Sequence, residues 1–279
     1  MKACVVQVNS RDDKEDNLQK VGRLIEQAAA DGAELISLPE YVNFLGEDSE
    51  KRSQAESIPG PTSEFFMEKA KKLGIYLHCG SILEVADDTT SYNTSLLISD
   101  AGEIIATYRK MHLFDVDIAG RVVTKESDTI KPGQQVVTAD TSFGTVGLSI
   151  CYDLRFPELY RSMALRGAKL LFVPAAFTLY TGIHHWEVLL RARAIENQCY
   201  VLAAGQFGSY ALGRTSFGSS MIVDPWGTVL ARVPEREGYA IAEVDFDWLD
   251  GIRRKIPCLA HRHPALYSEG LSENANRKH

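Results

Sequence analysis

The chain carries the same passage twice, and this repetition limits its architecture more than any other feature. SYNTSLLISDAGEIIATY, beginning at Ser91, aligns without a gap with SFGSSMIVDPWGTVLARV, beginning at Ser216. GAELISLPE from Gly32 aligns in the same way with GAKLLFVPA from Gly167. Gly102 and Gly227 fall at the same point of the longer pair and mark a shared turn.

Strand and helix patterns alternate around these passages. In the first half they predict a strand at 2–8, a helix whose apolar face includes Leu18, Val21, Leu24, Ile25 and Ala28, and a strand in AELISLPE. A helix over 62–73, a single strand in IYLHCGSIL and a pair of strands around 100–102 follow. In the second half they predict strands at 145–150, 169–173 and 199–204, helices at 157–166 and 184–198, and a strand pair around 224–227. A short helix from Phe246 through Arg254 and an irregular basic segment, packed on another surface, complete the chain.

A sheet covered by helices on one face must bury its other face, and the sheet of the other half is the available partner. The expected fold class is therefore α/β, a four-layer α-β-β-α sandwich with internal pseudo-twofold symmetry. Its expected extent is one domain over 1–279, with halves at about 1–110 and 140–246 plus a C-terminal tail. Two separate doubly wound domains would need a hinge, and no Pro/Gly/Ser-rich stretch lies in the middle of the chain. A length of 279 residues at 45% hydrophobic content is enough for a core of this size.

The net charge of −7 comes without long charged runs, which argues against nucleic acid as a partner. No segment approaches the ~18 consecutive apolar residues of a membrane span. KACVVQV at the start is too short for a signal peptide, so a cytoplasmic protein without membrane attachment is expected. The five cysteines, Cys4, Cys79, Cys151, Cys199 and Cys258, are scattered and include no CxxC pair. A disulfide framework or zinc knuckle is accordingly not expected, and with no His/Cys/Asp run at ligand spacing no bound metal is expected either.

Reactive groups in strand-and-helix folds sit at strand ends, where a rigid sheet holds an otherwise exposed side chain. Three residues occupy such ends: Glu40 after LISLP, Lys110 after IIATYR and Cys151 after VGLSI. Singly, each reads as a loop carboxylate, a surface lysine or an inert buried thiol. Together they suit amide hydrolysis. The carboxylate accepts the thiol proton, while the ammonium favours thiolate and stabilises an oxyanion with the backbone N–H of Tyr152. Pro157 opens the following helix at a favoured position and leaves 152–156 as a tight turn that displays the thiol. His112, two residues after Lys110, keeps a Cys-His alternative open, whereas His184 and His185 point to different helix faces. His261 and His263 have no metal-ligand spacing.

LPEY around Glu40, YRKMHLFD around Lys110 and CYDLRFPEL around Cys151 resemble the three signature blocks of the nitrilase (carbon-nitrogen hydrolase) superfamily. The resemblance runs from VVQV near the start to HRHPALY near the end. HWEVLLRARAIENQCYV from His185 and DPWGTVLARV from Asp224 are most similar to the branch that holds deaminated-glutathione amidases, with ω-amidases acting on 2-oxoglutaramate next.

The resemblance implies the same four-layer fold, a Glu-Lys-Cys triad and a second glutamate at the site, in the position of Glu126 within TKESDTIKPG. It implies hydrolysis of a small-molecule carboxamide to acid and ammonia through a thioester, without a cofactor. Hydrolysis of an N-carbamoyl amine or a nitrile follows the same thiol attack, and a silent binding protein on this fold is the alternative of another class.

The loops 41–46, 115–121 and 176–185 are expected to select the substrate. Tyr41, Phe177, Tyr180 and Thr181 are expected to line its pocket; Arg155 either pairs with Asp153 within the turn, the reading the sequence favours, or meets a substrate carboxylate. A homodimer or higher homo-oligomer is implied, formed near the helices after Cys151. A 30.9 kDa particle in light scattering would contradict it.

Overall fold

The computed structural model describes residues 1–267. The end of the C-terminal tail, expected to pack on another surface, lies outside the described residues.

Two sheets carry the same plan. The first runs Gly238–Glu243, Lys2–Gln7, Leu35–Ser37, Tyr76–His78, Ser91–Ile98, and both Ile82–Val85 and Ile104–Arg109 pair with Ser91–Ile98. The second runs Thr138–Thr141, Gly144–Leu148, Leu170–Phe172, Tyr200–Ala203, Met221–Val223, Val229–Arg232. In each, three parallel strands are flanked by antiparallel ones. The register repeats too: Val5 lies opposite Ser37 as Leu148 lies opposite Phe172. One difference closes the molecule. Thr138–Thr141 directly precedes its partner in the chain, whereas Gly238–Glu243 reaches back from the far end to pair with Lys2–Gln7.

Side-chain alternation along the strands creates the layers. Ala3 and Val5 pack into a core that also holds Val146, Leu148, Leu170 and Phe172 of the second sheet. Cys4 and Val6 point the other way, into a core with Val21, Ile25, Phe66 and Ala70. Those residues come from helices Lys14–Ala30 and Pro61–Leu73, the first capped by Asp13 and the second begun by proline and ended by Gly74 at φ 63°. Helices Pro157–Leu165 and Leu179–Asn197 cover the second sheet through Met163, Trp186 and Leu190, each fully buried. The architecture is an α-β-β-α sandwich.

Two local readings differ from the sequence analysis. IYLHCGSIL does not form one strand but two, Tyr76–His78 and Ile82–Val85. Between them Gly80 adopts φ 62°, with its Cα so near the Pro39 carbonyl that a Cβ would lie 2.0 Å from that oxygen. The chain must turn there, and only glycine fits. The helix expected at 184–198 instead begins at Leu179, because Thr178 caps it by accepting from the Thr181 N–H. His184 and His185 therefore lie within the helix and do not open it.

Between the sheets His78 is fully buried and stacks on Phe172, ring centres 4.1 Å apart. Ser37 and Ser95 hydroxyls meet its two nitrogens at 2.9 and 2.8 Å. Burial pushes its pKa down from 6.5 to about 3, so the folded protein keeps the ring neutral. Below pH 6.5 the unfolded chain gains a proton that the folded one refuses, so stability falls with pH toward about 3. The unfolding free energy of the wild type relative to a His78→Gln protein should fall by about 1.4 kcal/mol per pH unit across that window. Urea titrations at several pH values measure this; a pH-independent difference would contradict a neutral buried ring.

Candidate active site

The strand Gly144–Leu148 continues through Ile150 into a 3-10 helix, Cys151–Arg155, and then into Pro157–Leu165. Cys151 has φ +48°, a conformation that costs a non-glycine residue about 1–3 kcal/mol and persists only where the surroundings enforce it. They do so here. The Cys151 N–H donates to the Pro174 carbonyl at 2.8 Å, and the Ile150 N–H donates to Asp153 Oδ2 at 2.8 Å. The Tyr152 N–H stands at the start of this helix, ahead of its first backbone bond from Asp153 N to the Ile150 carbonyl.

Asp153 also ties this turn to the segment that carries Lys110. It accepts from the Tyr108 hydroxyl at 2.7 Å, the His112 N–H at 3.0 Å and His112 Nδ1 at 2.7 Å. Asp153 thus does not pair with Arg155 within the turn. His112, stacked on Phe156 with ring centres 3.7 Å apart, serves Asp153 and does not line the cavity described below.

Lys110 leaves the end of Ile104–Arg109 and places its buried ammonium between two carboxylates. Nζ donates to Glu40 Oε1 at 2.9 Å, and to Glu126 Oε2 at 2.8 Å and Oε1 at 3.1 Å. Glu40 accepts further bonds from Asn93 Nδ2 at 2.9 Å and the Ala176 N–H at 2.7 Å. Glu126 accepts from the Tyr41 hydroxyl at 2.8 Å and the Phe114 N–H at 2.7 Å. Tyr41, like Cys151, is a non-glycine residue at positive φ, 54°.

The site breaks the symmetry of its frame. By strand register the counterparts of Glu40, Lys110 and Cys151 are Ala175, Glu235 and Val8. One half supplies carboxylate and ammonium, the other the sulfur.

The charges decide protonation. Burial opposes ionisation of Glu126, but the Lys110 and Lys51 charges, with hydrogen bonds from Lys110 and Phe114, outweigh it and hold the pKa near 2. Burial likewise opposes the Lys110 charge, and Glu126, Glu40 and Cys151 more than compensate, so its pKa is raised. At Cys151 the balance runs the other way. Burial and the Glu40 carboxylate push the thiol well above its ordinary range, and Lys110 only partly offsets them. Lys110 does favour the thiolate, as expected, but burial first and the Glu40 charge second outweigh it, which leaves a neutral thiol facing a base.

A cavity of about 620 Å³ joins Glu40, Lys110, Glu126 and Cys151 to Tyr41, Tyr180, Phe114, Tyr210 and Arg214. Phe177, Thr181 and Arg155 do not line it. Phe177 is buried against Trp186, ring centres 5.1 Å apart. Thr181 is spent on the helix cap. Gly182, beside it, admits Phe217, whose Cβ would lie 2.4 Å from an added methyl. Arg155 donates to His185 Nδ1 at 3.3 Å and lies over the Phe177 ring. Among the described residues no His/Cys/Asp/Glu group could hold a metal ion, and no helix is long and apolar enough to cross a membrane.

The model of the carbon-nitrogen hydrolase family matches residues 2–254. The chain belongs to the carbon-nitrogen hydrolase family. A relative from Synechocystis sp. named deaminated glutathione amidase is 46% identical over 93% of this chain and 97% of its own. The crystal structure of the Caenorhabditis elegans NitFhit protein matches with TM-score 0.89 and 43% identity, over 95% of this chain and 66% of that one. An amidase from Nesterenkonia sp. AN1 matches with TM-score 0.82 and 25% identity over 96% and 95% of the two chains. Its structure, a Glu-to-Gln mutant, shows the acetamide moiety of fluoroacetamide covalently added at the active site cysteine. This hydrolase is an amidase by family and by its relatives.

Proposed function

We propose that the protein cleaves a small carboxylate-bearing amide through a thioester on Cys151, with Glu40 as the proton carrier. The observation that carries this is the Cys151 thiol in one cavity with a Glu40 carboxylate locked by three donors. Glu40 takes the thiol proton as sulfur attacks the carbonyl carbon, and Lys110 with the Tyr152 N–H faces the developing oxyanion. As the C–N bond breaks, Glu40 returns the proton to the departing nitrogen. A water then gives its proton to Glu40 while its oxygen attacks the thioester. The acid leaves, and the proton on Glu40 restores the thiol. Glu126 holds Lys110 and, through Tyr41 and Phe114, shapes the wall where that water must stand.

The relatives named deaminated glutathione amidase point to that compound as the substrate. Both of its amide bonds are secondary, so the leaving group there is an amine, not ammonia. Helix Leu179–Asn197, with Ile183, Val188 and Ile195 exposed along it, favours the homo-oligomer. Incubation with deaminated glutathione should release acid and amine in equal amounts, read by chromatography with mass detection. The Cys151→Ala protein should release neither; equal background from both would instead favour a silent protein on this fold.

A further inference from the structure

We propose that Lys51, Arg214 and Arg121, with Asp48 as their organiser, form an anion-binding wall that takes a substrate carboxylate remote from the amide being cleaved. The proposal rests on the amidase reading for where the amide lies, and it adds the part of the cavity that the chemistry does not use.

All four residues line the same cavity as Cys151. They come from three separate segments: Asp48 and Lys51 from the stretch after the Glu40 loop, Arg121 from the hairpin of Asp115–Ile118 and Val122–Lys125, and Arg214 from the turn after Ala211–Gly213. Asp48 accepts from Lys51 Nζ at 2.8 Å on one oxygen and from Arg214 Nη1 at 2.9 Å on the other. One carboxylate thus orients two cations and neutralises only one. Arg121 has no carboxylate partner among the described residues; its guanidinium lies 5.3 Å from the Tyr180 ring centre.

The wall therefore holds three cations against one anion, while the catalytic group of Glu40, Glu126 and Lys110 holds one cation against two anions. An anionic substrate group is repelled from the sulfur and attracted to the wall, which orients the amide inward. The two regions adjoin. Lys51 Nζ lies 4.9 Å from the Tyr41 ring centre, and the Tyr41 hydroxyl donates to Glu126. A planar guanidinium with donors left over after pairing suits a carboxylate. Arg155, turned toward His185 and Phe177, is not part of this wall.

The test uses the Cys151→Ala protein, so that binding is read without turnover, and titration calorimetry with four probes: glutaryl-glycine, its two monoamides and its diamide. The diacid should bind at least about ten-fold more tightly than one of the monoamides, as expected for a charge-assisted bond lost. Which monoamide loses affinity tells whether the carboxylate on the acyl side or on the amine side occupies the wall. Arg214→Gln and, independently, the exposed Arg121→Gln should shrink that ratio toward one. Equal affinity for diacid and diamide would overturn the proposal. So would a ratio untouched by both arginine changes, or one erased by Arg155→Gln alone. Failure of the amidase reading would show separately, as absence of product with the intact thiol.

Discussion

A Glu40→Gln enzyme is expected to lose about 10²–10⁴ of its kcat, the contribution of a positioned acid-base group, while its thiol becomes easier to alkylate. The two effects have opposite directions for one reason. After burial, the Glu40 charge is the main influence raising the Cys151 pKa, and Lys110 acts against it. Removing the carboxylate leaves the ammonium in place, so the thiol ionises at lower pH. It then has no acceptor to return a proton to the leaving nitrogen. Iodoacetamide alkylation followed across pH by peptide mass spectrometry reads the shift. Cys258, the exposed cysteine, serves as internal reference. An alkylation profile unmoved or displaced upward would show that Glu40 does not face the sulfur.

Lys110→Met should cost both activity and fold. Glu40 and Glu126 would face each other without their shared cation, and breaking a buried ion pair from one side typically costs about 3–5 kcal/mol. The pH dependence supplies a sharper sign. In the wild type Glu126 has its pKa lowered from 4.5 to about 2, so its stabilisation is present above pH 4.5 and is lost as pH falls toward about 2. In the variant one of two repelling carboxyls must have its pKa raised. The folded state then binds the extra proton, and stability recovers as pH falls through that raised value. Denaturant unfolding between pH 8 and 5 should thus show the variant gaining on the wild type with acidification. Loss of the oxyanion donor should lower kcat by about 10²–10³ as well. A variant whose deficit stays constant over this range would show that the carboxylates are not coupled through Lys110.

Much of this arrangement can be read from the chain. The repeat at Ser91 and Ser216 dictates two equivalent sheets, and strand ends bring Glu40, Lys110 and Cys151 into the same cavity. Glu126 stands beside them, where the family resemblance placed a second glutamate. The residues that escape a sequence reading lack periodicity. Asn93, which holds Glu40, lies in a strand whose buried polar run, Ser91, Asn93, Thr94 and Ser95, is itself the available signal: polar groups inside a sheet need partners. Asp48, Lys51, Arg121 and Arg214 lie in segments outside the repeat, and only the closed fold assembles them. Phe177 and Thr181 follow a strand end, as expected of pocket residues. The earlier helix start at Leu179 turns one into core and the other into a cap. The neutral thiol depends on burial and then on charges placed in three dimensions, since spacing along the chain shows one lysine but neither the depth of the sulfur nor that both glutamates reach the cation.

The acyl-enzyme on Cys151 is the intermediate that every later step of the reaction needs. When the wild-type protein turning over deaminated glutathione is quenched in acid within its first cycles, intact-mass and peptide analysis should find the substrate's acyl group on Cys151, removable by hydroxylamine. Steady release of product with Cys151 unmodified, and undiminished in the Cys151→Ala protein, would contradict it.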